Sequence, residues 1–367
     1  MSAEDDRRHM AHALGLARRG LGRVWPNPAV GCVLVKGSRV LGRGFTQPGG
    51  RPHAETVALA AAGEGARGAT AYVTLEPCAH HGRTPPCAGA LAAAGVARVV
   101  TAIEDPDPRV SGRGHAMLRA AGIAVTEGVL AEEARALQRG FLSRVVRGRP
   151  MVTLKLAASL DGRIATAAGE SRWITGPGAR ARVHAMRAMH DAVMVGAGTA
   201  RADDPMLTAR GLGVAHQPVR VVAARSLDLD AGGNLGRSAR EVPVWLVHGP
   251  SAPPRARAVW TATGARLIEV DEAEAALDPR AILSALGLAG LTRVFCEGGG
   301  QFAAALLGTG CVDEIALFTA GVALGADARP AIGALGLAAL ADAGRFRLRG
   351  VERVGADTLS LWAAPGD

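Results

Sequence analysis

The sequence is poor in aromatic residues and contains no long apolar run. Aromatic residues make up only 3% of the 367 residues, which disfavours a protein that stacks the bases of single-stranded nucleic acid. No window reaches the roughly eighteen apolar residues of a membrane-spanning helix, and the acidic N-terminus lacks the apolar core of a signal peptide. We therefore expect a soluble cytoplasmic protein that binds neither nucleic acid nor membrane.

Lysine and asparagine are almost absent. The chain has 42 lysine and arginine residues and a formal net charge of +9, but only Lys36 and Lys155 are lysines. Because the basic residues are scattered, the charge indicates a bias toward arginine rather than a nucleic-acid interface. Where arginine is used almost everywhere, a retained lysine indicates a site that needs a compact amine. The two asparagines are Asn27 and Asn234.

The five cysteines are too few and too dispersed for a disulfide framework. Their number is odd, and they are spread over a long chain without an export signal. Metal ligands or buried thiols are the expected uses in such a chain.

The length and the 49% hydrophobic content suit two domains. Strand patterns alternate with helix patterns in both halves, which predicts α/β domains with largely parallel sheets. The polar segment "RGRP" indicates a linker, so we expect domains at 1–147 and 150–365. The segment 225–243 is rich in turn residues and is predicted to be an exposed connection.

Three potential metal ligands occur in the first half. "HAE" supplies His53 at the start of a predicted helix, "EPC" supplies Cys78 after a strand, and Cys87 begins the next helix. One imidazole and two thiolates suit Zn²⁺ with an open fourth position, which is the arrangement of a catalytic site. Such an ion lowers the pKa of a bound water toward ~7, and Glu55 is placed to act as general base and then acid. The alternative is a structural zinc site or unrelated thiols.

The order of these motifs is that of zinc deaminases, H-x-E followed by P-C. One departure is the spacer of eight residues between Cys78 and Cys87, where the usual motif is P-C-x-x-C. The spacer is polar and is placed to face a substrate.

Several longer motifs together resemble the bifunctional riboflavin-biosynthesis deaminase/reductases. They are "PNPAVGCV", "PHAE", "TLEPCAHHGRTPPC", "DPDPRVSGRG", "KLAASLDGRIATAAGESRWITG", "DDPMLTAR" and "EGGGQFAAALL". The resemblance implies an N-terminal cytidine-deaminase-like three-layer α/β/α domain and a C-terminal dihydrofolate-reductase-like α/β domain. It implies zinc-dependent deamination of 2,5-diamino-6-(5-phosphoribosylamino)pyrimidin-4-one, then reduction of its ribosyl group to a ribityl chain with NADPH. It also implies a homo-oligomer.

In the first domain, the resemblance assigns the metal to His53, Cys78 and Cys87 and proton transfer to Glu55. It assigns the substrate to Asn27, for which the alternative is a role in turn geometry, and to the spacer residues His80 and Arg83.

In the second domain, "EGGGQF" predicts a strand, a glycine turn and a helix N-terminus suited to the phosphates of a dinucleotide, although G-x-G-x-x-G is absent. The resemblance supplies the remaining assignments. Catalysis is assigned to Lys155 and Asp203. NADPH is assigned to Ala157, Trp173, Thr199, Asp203, Arg225, Gly299, Gly300, Gln301 and Phe302. The substrate is assigned to Ser171, Arg187, Leu207, Arg210 and Glu297.

Arg225 marks a departure from the family pattern. Relatives commonly have Asp-Ser after this strand, whereas this chain has Ala224-Arg225. Arg225 therefore either meets the 2′-phosphate of NADPH or faces water.

Two other functions compete with this interpretation. One is a tRNA base deaminase with an accessory nucleotide-binding domain, which the positive charge favours weakly. The other is a zinc-stabilised binding protein without enzymatic activity, which the presence of Glu55 opposes.

Overall fold

The computed structural model describes residues 2–80, 85–273 and 276–365. The chain divides into two compact units, Met1–Gly148 and Arg149–Asp367. Within the described ranges, no helix combines the length and apolar character needed to cross a bilayer.

The first unit is built on a five-stranded sheet. Its helices among the described residues are α1 (Ala3–Ala17), α2 (Ala54–Ala62), α3 (Cys87–Ala93), α4 (Arg113–Ala120) and α5 (Ala131–Arg147). Its strands there are β1 (Gly31–Lys36), β2 (Arg39–Phe45), β3 (Thr70–Val73), β4 (Arg98–Thr101) and β5 (Ala124–Thr126). The strand order is β2-β1-β3-β4-β5. β1 is antiparallel to β2 and β3, and β3, β4 and β5 are parallel, so the expectation of a largely parallel sheet holds only for its second half.

Small residues place helices on both faces of this sheet. A Cβ atom on Gly31 would lie 1.9 Å from the carbonyl oxygen of Ala13 in α1, and one on Gly44 would lie 2.1 Å from that of Ala54 in α2. Gly44 pairs with Cys32, the residue after Gly31, and successive residues of a strand face opposite sides. The helices α1 and α2 therefore cover opposite faces, which gives the predicted three layers.

The second unit contains a nine-stranded sheet of order β11-β10-β9-β8-β14-β6-β15-β18-β17. The strands of the unit are β6 (Met151–Ala158), β7 (Arg163–Ala165), β8 (Ala192–Gly196), β9 (Val219–Ala223), β10 (Val244–His248), β11 (Arg266–Glu269), β12 (Glu272–Ala273), β13 (Ala276–Leu277), β14 (Arg293–Cys296), β15 (Glu314–Thr319), β16 (Arg329–Pro330), β17 (Arg347–Val354) and β18 (Asp357–Ala363). Outside the nine-stranded sheet, β12 pairs with β13 and β16 pairs with β7. The helices are α6 (Pro177–Ala188), α7 (Ala197–Asp203), α8 (Asn234–Arg237), α9 (Pro254–Thr263), α10 (Pro279–Leu288) and α11 (Gly300–Gly308).

From one edge of the sheet, strands β11, β10, β9, β8, β14, β6 and β15 run parallel. The last two strands, β18 and β17, pair antiparallel. The carboxyl ends of the parallel strands therefore lie along one edge, where ligands of open α/β sheets bind.

The prediction of an exposed connection at 225–243 is wrong in part. Leu227, Leu235 and Ala239 are buried in the same apolar cluster as Trp260 of α9. The turn residues that predicted a loop do permit the sharp changes of direction, but the apolar side chains between them pack inward.

Candidate active sites

The three predicted metal ligands converge in the first unit. His53 precedes α2, Cys78 follows the turn after β3, and Cys87 begins α3. The Nδ1 atom of His53 lies 3.8 Å from Sγ of Cys78 and 3.4 Å from Sγ of Cys87, and all three ligand atoms lie within 4.8 Å of one another. Zn–S and Zn–N bonds at a tetrahedral angle place sulfur and nitrogen about 3.6 Å apart. The donor atoms therefore fit a zinc ion.

The N-terminus of α3 favours a thiolate at Cys78, whereas the hydrogen bond with Cys78 and burial raise the pKa of Cys87. The backbone N–H of Cys87 donates to Sγ of Cys78 at 3.3 Å. Hydrogen bonds from Cys87 and then from His53 lower the pKa of Cys78 to about 4 against the opposing effect of burial. A thiolate is the form in which cysteine binds a metal.

Glu55 lies in the first turn of α2 and is only 4% exposed. Burial, and then the charge of Cys78, raise the pKa of this carboxyl to about 7. A carboxyl group whose pKa lies near the working pH can both accept and return a proton. The geometry thus places an acid–base group against the three ligands.

The structure describes two of the three predicted substrate residues of the first unit. Asn27 packs directly on Gly50, where a Cβ atom would lie 1.9 Å from the side-chain amide nitrogen of Asn27. Gly50 has a φ of +84° and lies three residues before His53. Asn27 therefore contacts the segment that leads into the predicted metal ligand. Nδ1 of His80 is buried and has no hydrogen-bond partner within the described ranges. Arg83 lies outside the described residues.

The "EPC" motif contains a second buried group, to which the sequence analysis assigned no function. Glu76 is 3% exposed, and its carboxylate accepts hydrogen bonds from four backbone N–H groups in and after the segment Asp105–Gly112. Its only signal in the sequence is its position two residues before Cys78.

In the second unit, three predicted residues form one charged cluster. Arg187 of α6 donates from Nε to Oε1 of Glu297 at 2.5 Å and from Nη2 to Oε2 at 3.1 Å. Nζ of Lys155 lies 3.9 Å from Oε2 of Glu297. Burial alone raises the pKa of Glu297, but the charges of Arg187 and Lys155 outweigh it and hold that pKa below its usual value. Burial lowers the pKa of Lys155.

This cluster changes the expectation for Arg187. Its guanidinium is already used by Glu297, and Nη1 also donates to the carbonyl oxygen of Thr208 at 2.8 Å. A substrate group bound by Arg187 would have to compete with this internal ion pair. Arg210, by contrast, is exposed.

The glycine turn lies at the N-terminus of α11, as predicted. Gly299 donates its N–H to Oγ1 of Thr199 at 3.0 Å, which joins the turn to α7. A Cβ atom on Gly300 would lie 2.6 Å from the carbonyl oxygen of Pro330, so this position requires glycine. The first N–H groups of a helix have no partner within the helix, and here they belong to Gly300, Gln301 and Phe302.

The other predicted residues of the second unit differ in how far their side chains are exposed. Trp173 lies in a turn, and the ring of this 69% exposed residue has its centroid 4.6 Å from the guanidinium carbon of Arg180. Ser171 and Asp203 are also exposed, and Ala157 is half-buried on the same face of β6 as Lys155. The side chain of Leu207 is buried in an apolar cluster, so only its backbone is available to a substrate.

Arg225 follows β9 and is held by an acidic neighbour. Its Nη1 atom lies 3.6 Å from Oε2 of Glu272, and Glu272 accepts hydrogen bonds from the backbone N–H and the hydroxyl of Ser251. Strand β9 is two strands from β14, about 10 Å along the sheet edge. Arg225 therefore lies on the same edge as the glycine turn.

Two family models match the chain. Residues 3–103 match the "Cytidine and deoxycytidylate deaminase zinc-binding region", and residues 150–360 match the "RibD C-terminal domain".

Full-length relatives and solved structures are similar over nearly the whole chain. The riboflavin biosynthesis protein RibD of Escherichia coli K12 is 44% identical over 96% of this chain and 97% of its own; that of Bacillus amyloliquefaciens is 38% identical over 98% and 96%. The structure of Acinetobacter baumannii RibD, form 1, has a TM-score of 0.89 at 39% identity, covering 99% of both chains. A Thermotoga maritima diaminohydroxyphosphoribosylaminopyrimidine deaminase/5-amino-6-(5-phosphoribosylamino)uracil reductase has a TM-score of 0.86 at 34% identity, with the same coverage.

Proposed function

Since the chain belongs to the RibD family of riboflavin-biosynthesis proteins, we propose that its two units carry the two successive reactions of that family at the two sites described above. The enzyme is a zinc-dependent deaminase and an NADPH-dependent reductase. The observation that carries the assignment of the first reaction is the convergence of His53, Cys78 and Cys87 beside buried Glu55.

In the deaminase unit, we propose that His53, Cys78 and Cys87 hold the zinc ion. Zinc, when bound, supplies a Lewis acid and lowers the pKa of water. Glu55 takes one proton from the attacking water and delivers it to the amino group, which leaves as ammonia. The hydroxyl of that water stays on the ring carbon, so the step is balanced. Asn27 and His80 orient the pyrimidine and its phosphoribosyl arm, and Arg83 remains a prediction.

In the reductase unit, we propose that the N-terminus of α11 and Thr199 bind the phosphates of the dinucleotide, with Ala157 and Trp173 along it. NADPH, when bound, supplies the hydride. Lys155 presents its ammonium to the sugar, and Glu297 and Arg187 fix the position of that ammonium. Ser171, Asp203, Leu207 through its backbone and Arg210 complete the proposed substrate surface.

The order of the two reactions tests this function. With the diamino pyrimidine phosphate, the protein is expected to release ammonia without NADPH and to oxidise NADPH only after deamination. The deaminated compound supplied directly is expected to oxidise NADPH without ammonia release. Oxidation of NADPH by the undeaminated compound, or ammonia release only from an RNA stem-loop, would contradict the proposal.

Arg225 provides a prediction about the cofactor. We propose that its guanidinium exchanges Glu272 for the 2′-phosphate of NADPH, because a guanidinium fork matches a phosphate. Arg225→Gln is expected to weaken NADPH binding about tenfold and to leave NADH binding unchanged, as measured by titration of nicotinamide fluorescence. Arg255→Gln, which changes an exposed arginine on α9, is the control. An equal loss for both cofactors would contradict a specific phosphate contact.

The family match covers both halves of the chain, so the tRNA-editor and zinc-stabilised binding-protein interpretations are not retained. The cytoplasmic location, the homo-oligomer and the absence of nucleic-acid binding remain proposals.

A further inference from the structure

Glu76 connects two segments that are distant in sequence. Its Oε2 atom accepts from the N–H of Asp105 at 3.2 Å and from that of Gly112 at 3.0 Å. A single carboxylate oxygen therefore binds both ends of the segment Asp105–Gly112, which we call the DPDP loop. Closing a loop at both ends removes much of its conformational freedom.

The other oxygen of Glu76 holds the helix that follows the DPDP loop. Oε1 accepts from the N–H of Gly114 at 2.8 Å and from that of His115 at 3.2 Å, in the first turn of α4. These N–H groups have no partner within the helix, and a negative charge at a helix N-terminus is stabilising. Gly114 also packs on the turn itself, since a Cβ atom there would lie 2.0 Å from the carbonyl oxygen of Pro77.

The DPDP loop lies beside the deaminase site. Glu76 is followed by Pro77 and the metal ligand Cys78, so the bonds to Glu76 bring the loop to that turn. Nε and Nη2 of Arg109 donate to the carboxylate of Asp107 at 2.9 Å and 2.5 Å, which fixes this acidic side chain within the loop. Inside the loop, Oδ1 of Asp105 accepts from the N–H of Asp107 at 2.9 Å, so the two acidic residues move as a unit.

We propose that Glu76 is a positioning residue of the deaminase, which holds the DPDP loop against the Cys78 turn as one wall of the pyrimidine site. This inference rests on the proposed deaminase function. Glu76 does not touch the reacting atoms; it acts through the loop that its carboxylate fixes to the Cys78 turn.

The test compares Glu76→Gln with Glu104→Gln. An amide keeps one acceptor oxygen, but its NH₂ group cannot accept from two backbone N–H groups, so one pair of bonds is lost. Glu104 is exposed just before the DPDP loop, and its carboxylate accepts a single hydrogen bond from Oγ of Ser111 at 3.3 Å. Zinc content and reduction of the deaminated compound are measured on the same preparations.

For Glu76→Gln we expect faster amide hydrogen exchange in residues 105–115 and a KM for the diamino pyrimidine phosphate raised about tenfold. The kcat of deamination, the zinc content and the reductase rate are expected to stay within about twofold, because a change in KM alone reports lost binding. Glu104→Gln is expected to behave as the wild type.

Faster exchange with an unchanged KM would show that Glu76 is only structural and would overturn the proposal, as would loss of zinc. If Glu76→Gln does not fold, Glu76→Asp is the test variant. It keeps the negative charge, but its shorter side chain moves both carboxylate oxygens away from the N–H groups of the loop and α4. An unchanged KM in that variant overturns the proposal. Failure of the wild type to release ammonia would instead contradict the proposed function itself.

Discussion

Glu55→Gln is expected to lower the rate of deamination by about 10³-fold or more while the protein keeps its zinc. The amide has nearly the shape of the carboxyl group but cannot take a proton from water and return it, and proton transfer by a positioned group contributes about 10²–10⁴ in rate. Glu55 is buried at 4% exposure beside the ligand cluster, so no bulk solvent base replaces it. The measurement is ammonia release under saturating substrate, with zinc quantified by elemental analysis.

Two controls accompany this variant. Glu64→Gln removes a carboxylate at an exposed position shortly after the same helix and is expected to leave deamination unchanged. Reduction of the deaminated compound by Glu55→Gln is expected at the wild-type rate, which shows that the second unit is intact, while the retained zinc reports on the fold of the first unit. Deamination near the wild-type rate in a zinc-loaded Glu55→Gln preparation would remove Glu55 from the mechanism.

The second large effect is expected from Lys155→Met. Methionine keeps an unbranched side chain of comparable length but removes the ammonium that lies 3.9 Å from Glu297. A fixed charge in a site from which water is excluded is worth about 10²–10³ in rate. The reductase kcat/KM is therefore expected to fall at least about 100-fold, and the deaminated intermediate is expected to accumulate when substrate and NADPH are supplied together.

The chain contains a matched control for this substitution. Lys36 is the only other lysine; it is exposed and donates to the carbonyl oxygen of Arg67 at 3.0 Å. Lys36→Met is expected to change neither reaction. NADPH affinity, measured by fluorescence titration, is expected to be unchanged in Lys155→Met, because the ammonium is assigned to the substrate. A reductase rate unaffected by Lys155→Met would remove the ammonium from the reaction.

The convergence of the potential metal ligands was predictable because its signals are local. His53 and Glu55 lie in one helical turn, Cys78 follows the turn after β3 and Cys87 begins α3, so each motif carries its own geometry. The glycine turn before α11 was predictable for the same reason. The resemblance to a family added the substrate and the cofactor, which local patterns do not specify.

Other features depend on contacts between distant segments. Arg187 and Glu297 are 110 residues apart, and nothing in either local pattern indicates that they form an ion pair. Glu76 binds N–H groups 29 to 39 residues away, and Leu207 is buried by segments on both sides of it in the chain. The sequence by itself determined the two α/β domains and the set of potential metal ligands, since hydrophobic periodicity and ligand spacing are local. Only the tertiary structure decided which buried charges meet, because pairing follows from which strands become neighbours in a sheet.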